Sequence, residues 1–231
     1  MGRGVGLKGQ ICVYCNERQS TRNGDHLFAR SLLAVAARNG APKLPCCELC
    51  NRDKAKLEHY LASTLPLASR EHDAVKRANL AASRVIKNLP LARSMISGAV
   101  TIIDPIEGGR QETLAFPFEP EIVLAYAKLL TIGLLYWATK TRVADPHSIR
   151  TFFAENDHDN ALVWEFLYNT DGVKVRGNIG GAGLTFDGIC NGDIHTLSAW
   201  RLSLLNGVCS IQKNRKYSNA IWSVVAFDNA E

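Results

Sequence analysis

Apolar residues recur at helical spacing through much of the chain and switch to strand-like runs in its last fifty residues. From Cys50 onward the pattern reads as a helix, with Leu57, Tyr60 and Leu61 at i, i+3 and i+4 forming its buried stripe. Residues 69–88 predict a second helix, ended by Asn88 and Pro90. Residues 31–39 are helix-like but short, broken by Gly40 and Pro42, and residues 161–169 are helix-like again. Residues 98–106 predict a strand. Residues 119–140 are apolar over nearly the length of a membrane span, yet carry Lys128 near the middle and Glu121 near the start. A charge at mid-bilayer is costly, so this stretch reads as a core helix and no membrane is expected.

Toward the C-terminus, residues 184–190, 193–204, 208–212 and 221–227 read as strands. Asn191-Gly192 and Asn206-Gly207 between them are hairpin signals. Trp200 and Trp222 are expected as core aromatics, and no stacking platform for bases is legible in these last fifty residues. Cys190 and Cys209 lack partners at ligand spacing and read as buried thiols. The fold class is therefore α+β: an N-terminal module over residues 1–66, then residues 67–231 as a helical segment followed by an antiparallel β-meander. The two parts pack either separately or as one unit.

Composition changes this picture little. With 231 residues, 46% hydrophobic and 21% charged, the chain has ample material for a core. Residues 1–11 form a glycine-rich, basic lead, expected to be flexible and unlike a secretory signal. Cysteines without secretion favour a reducing, cytoplasmic setting and metal ligation over disulfides. Charge is more informative. Residues 1–100 carry a balance of +9 and residues 101–231 a balance of −4, within the net +5. A basic half beside an acidic one implies an anionic partner for the first half, unless the charge is only a solvated face.

The candidate chemistry lies in that basic half. Cys12-Val13-Tyr14-Cys15 and Cys47-Glu48-Leu49-Cys50 have C-x-x-C spacing, which lets both sulfurs of a turn reach one tetrahedral zinc ion. Residues 16–46 separate the pairs, so an insert lies between the two halves of the site. Cys46 competes with Cys47 as a ligand, and Cys47 is preferred because it gives x-x spacing to Cys50. Within the insert, Asn23-Gly24 is a turn signal that places Asp25 and His26 at or within a strand. Adjacent strand residues point to opposite faces, so the two converge on one site only if the strand twists or ends there. Asn51, at the start of the following helix, either caps it or binds a metal through its amide oxygen. Lys54 and Lys56 either reach phosphates or are merely solvated. The Asp157-His158-Asp159 run reads as a polar loop.

Asp25-His26 with Arg30, then Pro45-Cys46-Cys47-Glu48-Leu49-Cys50-Asn51 continuing to Lys54, together with the earlier Cys12-Val13-Tyr14-Cys15, resemble the HNH endonucleases, the ββα-metal nucleases. The resemblance covers residues 12–60. It implies a zinc-stapled ββα-metal module that hydrolyses phosphodiester bonds of nucleic acid, DNA above all. His26 would be the general base, with Asp25 and Asn51 on a catalytic divalent cation such as Mg²⁺. Cys12, Cys15, Cys47 and Cys50 would hold a structural Zn²⁺, and Arg30, Lys54 and Lys56 would contact the nucleic-acid backbone. The chemistry asks for such groups independently: a neutral imidazole to take a proton from water, and hard oxygen ligands for the cation. One departure stands out. The middle asparagine of the family, which orients the base-bearing loop, falls near Pro42, and Asn39 is the nearest substitute. A catalytically inactive zinc-stapled binding module is the alternative.

Overall fold

The computed structural model describes residues 6–226 except 34, 69–73, 107–108, 154–160, 162–163, 166–167, 170, 182, 191–196, 206–210, 213–214 and 217–220. Asp157-His158-Asp159, both Asn-Gly hairpin signals near the C-terminus and Cys209 therefore lie outside the described residues. Where the lead is described it is not loose. Ile11 bridges Gln19, Ser20 N–H donates to Gln10 O at 2.7 Å, and Gly9 N–H donates to Ser20 O at 3.3 Å.

β1 (Asp25–His26) and β2 (Lys43–Leu44) form an antiparallel ribbon in which Asp25 faces Leu44 and His26 faces Lys43. Between them the chain turns through two 3₁₀ segments, Arg30–Leu32 and Val35–Gly40, where a short α-helix was the expectation. So short a stretch, closed off by Gly40 and Pro42, cannot recover the cost of nucleating an α-helix. α1 (Glu48–Thr64) begins two residues before the predicted start, with Cys47 at its N-cap.

Asn88 and Pro90 do more than end α2 (Ala74–Lys87). Asn88 accepts from Leu91 N–H at 3.3 Å and caps a further helix, α3 (Leu89–Ser97), with Pro90 in its first turn. Proline tolerates that position because the N–H it lacks has no helical partner there. β3 (Val100–Ile106) pairs with β4 (Gly109–Ala115) in a hairpin; the polar sequence of β4 hides it from the apolar pattern.

α4 (Pro120–Thr139) is the central helix. It is long and apolar enough to cross a membrane by length and composition, and half of its most apolar window is buried within the protein. It packs on α1 and on two strands of a five-stranded antiparallel sheet. That sheet comprises β5 (Ile149–Phe153), β6 (Val173–Ile179), β7 (Leu184–Cys190), β8 (Leu197–Leu204) and β11 (Ile221–Ala226). A two-residue ribbon, β9 (Ile211–Gln212) and β10 (Arg215–Lys216), interrupts the run between β8 and β11. The order β5-β11-β8-β7-β6 makes the last four large strands a meander, with β5 added at the far edge. Neither β5 nor β6 was expected from the sequence.

One continuous set of buried residues runs from Cys12 and Val13 through Leu27, Phe28 and α4 to Trp200 and Val225, so the first sixty residues and the sheet share a core. Trp200 and Trp222 are both fully buried, as the sequence predicts, on opposite faces of the sheet. Cys190 is buried too, and burial pushes its thiol up to about 11.

Close packing is evident where β7 meets β8. Gly188 lies opposite Trp200, and a Cβ there would sit 2.3 Å from one indole atom and 2.6 Å from two more. A rigid ring in a packed core cannot retreat cheaply. Gly188→Ala is expected to destabilise the fold by about 1–3 kcal/mol, the usual range for overpacking. Denaturant unfolding with an unchanged midpoint would contradict that expectation.

Candidate functional site

The loop Cys12–Cys15 and the start of α1 are brought together by backbone hydrogen bonds. Val13 N–H donates to Pro45 O and Thr21 N–H to Cys46 O, both at 3.0 Å. These contacts gather the sulfurs of Cys12, Cys15, Cys47 and Cys50, which all lie within 4.8 Å of one another. Cys15 Sγ and Cys47 Sγ are 4.0 Å apart. A tetrahedral zinc with Zn–S bonds of about 2.3 Å requires sulfurs roughly 3.8 Å apart, so the four-thiol set fits that ion. Backbone amides already serve the sulfurs: Tyr14 N–H approaches Cys12 Sγ at 3.4 Å and Cys50 N–H approaches Cys47 Sγ at 3.5 Å.

Cys46 is fully buried outside this set, and its thiol donates to Cys47 O at 3.3 Å. Hydrogen bonding from Cys46, helped by backbone amides and opposed by burial, lowers the Cys12 thiol to about 4. Burial instead pushes the Cys47 and Cys50 thiols up. Crowded, desolvated sulfurs of this kind are hard to ionise together without a cation among them.

Beside the sulfur cluster lies a buried ionic one. The Lys54 side chain is 1% exposed, and its ammonium reaches three acceptors: Glu58 Oε1 at 2.6 Å, Asp25 Oδ2 at 2.7 Å and the backbone carbonyl of His26 at 2.7 Å. Two phenols complete the cluster. Tyr14 O–H donates to Asp25 Oδ2 at 3.3 Å, and Tyr126 O–H donates to Glu58 Oε1 at 3.2 Å while accepting from Ala29 N–H at 3.0 Å. Burial raises both phenols well above their ordinary range, so both are neutral donors. Burial also raises Glu58, against the pull of Lys54.

These contacts revise several expectations. Lys54, expected to reach a phosphate, is instead buried: it lies on the inner stripe of α1, three residues before Leu57 and four before Glu58, with its ammonium bonded inside the protein. Asp25 is buried on the Lys54 side of β1, with both of its contacts on Oδ2. Asn51 does not cap α1, because Cys47 does; it is exposed in the first turn, one turn before Lys54 on the same side of the helix. Arg30 is exposed, and Lys56 is exposed but paired with Asp53 at 2.8 Å. Pro42, near the position expected for a middle asparagine, contributes its backbone: its carbonyl accepts from Leu27 N–H at 2.8 Å. Asn39 is exposed.

His26 is half-buried next to this cluster. Burial lowers its imidazole below the usual 6.5, and the nearby positive charges of Lys43 and Arg30 lower it further, partly offset by Asp25. The imidazole is thus neutral at pH 7 and able to accept a proton.

The sulfur geometry separates Cys46 from Cys47. Expressed protein is expected to carry one zinc per chain. Cys46→Ser should retain the metal, whereas Cys47→Ser should lose it and with it most of the stability of the first sixty residues. Elemental analysis of the purified variants checks this, and equal zinc loss in both would contradict it.

Compared with models of known protein families, with curated proteins and with solved structures, the chain matches none of them.

Proposed function

We propose that this chain is a zinc-stapled, metal-dependent nuclease, with β1, β2 and α1 as its ββα-metal unit, acting on nucleic acid in a reducing, cytoplasmic setting. The observation that carries this reading is the bond from Lys54 Nζ to the His26 carbonyl, 2.7 Å long. It ties the strand bearing a neutral, half-exposed imidazole to the helix that starts in the four-cysteine cluster. A base in a hydrolytic site must be neutral, accessible and fixed. Burial and Lys43 keep His26 neutral, its partial exposure leaves it accessible, and the Lys54 bond fixes its backbone.

In this reading His26 takes the proton of an attacking water. Asn51 through its amide oxygen and Asp25 through Oδ1 offer hard ligands to a divalent cation. Such a cation, when bound, neutralises charge developing on the phosphate and the leaving oxygen. Lys54 offsets part of the Asp25 charge, so the cation site is a weak one that depends on Asn51 and water for its remaining ligands. Zinc at the four cysteines has no part in the chemistry. Arg30 and Arg52, both exposed, supply phosphate contacts that Lys54 does not. The Lys54–Asp25 pair also favours a second reading, a zinc-stapled nucleic-acid-binding module without catalysis, because it occupies one of the two proposed ligands.

Incubating the zinc-loaded protein with plasmid and Mn²⁺ or Mg²⁺ separates the two. The nuclease reading expects nicked or linear products, abolished by His26→Ala and reduced at least tenfold by Asn51→Ala. Salt-dependent binding without products under either ion would favour the second reading.

Titration of His26 is a separate check that needs no divalent cation. Its imidazole C–H signals should shift with a midpoint below 6.5, so the neutral form persists as pH falls through that value. Lys43→Ala removes a repelling charge and should move the midpoint upward. A wild-type midpoint at or above 6.5 would remove the basis for His26 as a poised base.

A further inference from the structure

The face of the large sheet turned away from α4 has no role in the site above, and its composition is unusual for the acidic half of the chain. Strand register determines which side chains share it. Arg150 lies opposite Val224, Phe152 opposite Trp222, Trp222 opposite Arg201, Arg201 opposite Asp187, Asp187 opposite Arg176, and Ile189 opposite Lys174. Residues directly opposed in an antiparallel pair project to the same side. On the other side Thr151 bonds to Leu124 O of α4, and Phe186 packs on Trp137 of the same helix, which fixes that side as the inner one. The outer face therefore carries four cations, Arg150, Lys174, Arg176 and Arg201. Among the described strand residues there it carries one carboxylate, Asp187.

Aromatic rings lie among these cations. Trp164 meets Trp222 edge-on with centroids 6.0 Å apart, and Tyr168 is 5.6 Å from Trp164. Lys174 Nζ sits 5.0 Å from the Tyr168 centroid, and Arg201 Cζ sits 5.4 Å from that of Trp164. Tyr168 is 59% exposed and Phe152 39%. Between the rings and the strands a cavity of about 290 Å³ opens, lined by Trp164, Tyr168, Lys174, Arg176, Asp187 and Ile189. Among the described residues its positive charge is only partly met: Asp187 serves both Arg176 and Arg201, and the buried Nε of Arg201 has no hydrogen-bond acceptor there.

Rings open on one side, cations within reach of them and an unsatisfied buried donor ask for a ligand that is flat, aromatic and anionic at a short distance from its ring. A cavity near the ~300 Å³ lower end of small-ligand sites holds one such ring rather than an extended molecule. The row from Lys174 and Arg176 across Arg201 to Arg150 continues beyond the cavity over the width of the sheet, which a repeating anion matches. Duplex nucleic acid hides its base faces and is read by elements that enter a groove, and among the described residues this sheet face presents none.

We propose that the outer face of the C-terminal sheet binds an unpaired nucleic-acid strand. One base enters the Trp164–Tyr168 cavity and the phosphates follow the basic row. The site lies apart from His26 and the cysteine cluster, so it stands whether or not the chain is a nuclease. Under the nuclease reading, it makes single-stranded segments the preferred substrate.

The test uses zinc-loaded full-length His26→Ala protein, so that no strand is cut, with a fluorescent oligodeoxythymidine followed by anisotropy and by quenching of tryptophan emission. Lys174→Glu with Arg176→Glu is expected to weaken binding at least tenfold, and Tyr168→Ala about tenfold. All three positions are exposed at the surface, and unchanged circular dichroism shows that the variants fold. A duplex of equal length should bind more weakly than the strand, and AMP should compete only at far higher concentration than the strand. Strand binding unaffected by these substitutions in folded protein overturns the proposal, as does duplex binding as tight as that of the strand. AMP competing at strand-like concentration also overturns it, by revealing a mononucleotide site. If Arg52→Glu with Lys56→Glu abolishes strand binding while the sheet variants do not, the strand lies on α1 and the proposal fails with the nuclease reading intact. Sheet-dependent strand binding by a wild-type protein that cuts nothing would sink the nuclease reading alone.

Discussion

The ammonium of Lys54 is the contact on which the first half of the molecule depends. Removing an ion from water costs several kcal/mol even after relaxation, and only full hydrogen bonding and a nearby opposite charge offset it. Lys54 has three N–H donors and three acceptors, from β1 twice and from its own helix once. Those acceptors are held in turn by Tyr14 of the cysteine loop and Tyr126 of α4. Four separate pieces of chain must therefore take up their positions together. A β1–β2 ribbon with two residues per strand has little ladder of its own to define its register. The buried cluster supplies that definition, since a slip of one residue would turn Asp25 away from the ammonium.

Packing around the cluster explains why α4 is so apolar. It fills the space between the ribbon and α1 on one side and the inner face of the sheet on the other. Gly133 marks a close approach: a Cβ there would lie 2.4 Å from Leu27 and 2.8 Å from Leu44, so the helix rests directly on the residue that follows His26 and on β2. A helix enclosed on both sides reads as hydrophobic all round, which is also what a membrane span looks like in sequence. The interrupting charges, Lys128 and Glu121, carried the distinction.

Legibility in the sequence followed the kind of physics involved. The two C-x-x-C pairs were readable because ligand spacing is a local property of a turn, and so was Asp25-His26 as a strand after Asn23-Gly24. Lys54 was not, because a lysine on a helix is ordinarily solvated, and only its three-dimensional acceptors reveal otherwise. One signal was present: Lys54 and Glu58 stand four apart on the stripe that also holds Leu57 and Leu61, where two apolar residues would be usual. β5 and β6 were missed for a similar reason. Each alternates half-buried with exposed residues and carries only one fully buried side chain, and the pairing that stabilises them is non-local. The basic row on the outer sheet face was invisible in a half of the chain whose overall balance is negative, since it is assembled from three separate strands.

Tyr14 sits between two of the cysteines, and its hydroxyl reaches Asp25. A zinc ion held by the four cysteines would fix the shape of this loop and so hold one end of the Lys54 cluster. By linkage, the free energy of its binding would be spent in part on ordering the ribbon that bears His26. The folded fraction of this region would then be a function of free zinc activity. In a cell that buffers zinc tightly, the ordered population of β1 would be set by metal supply as well as by the amino-acid sequence.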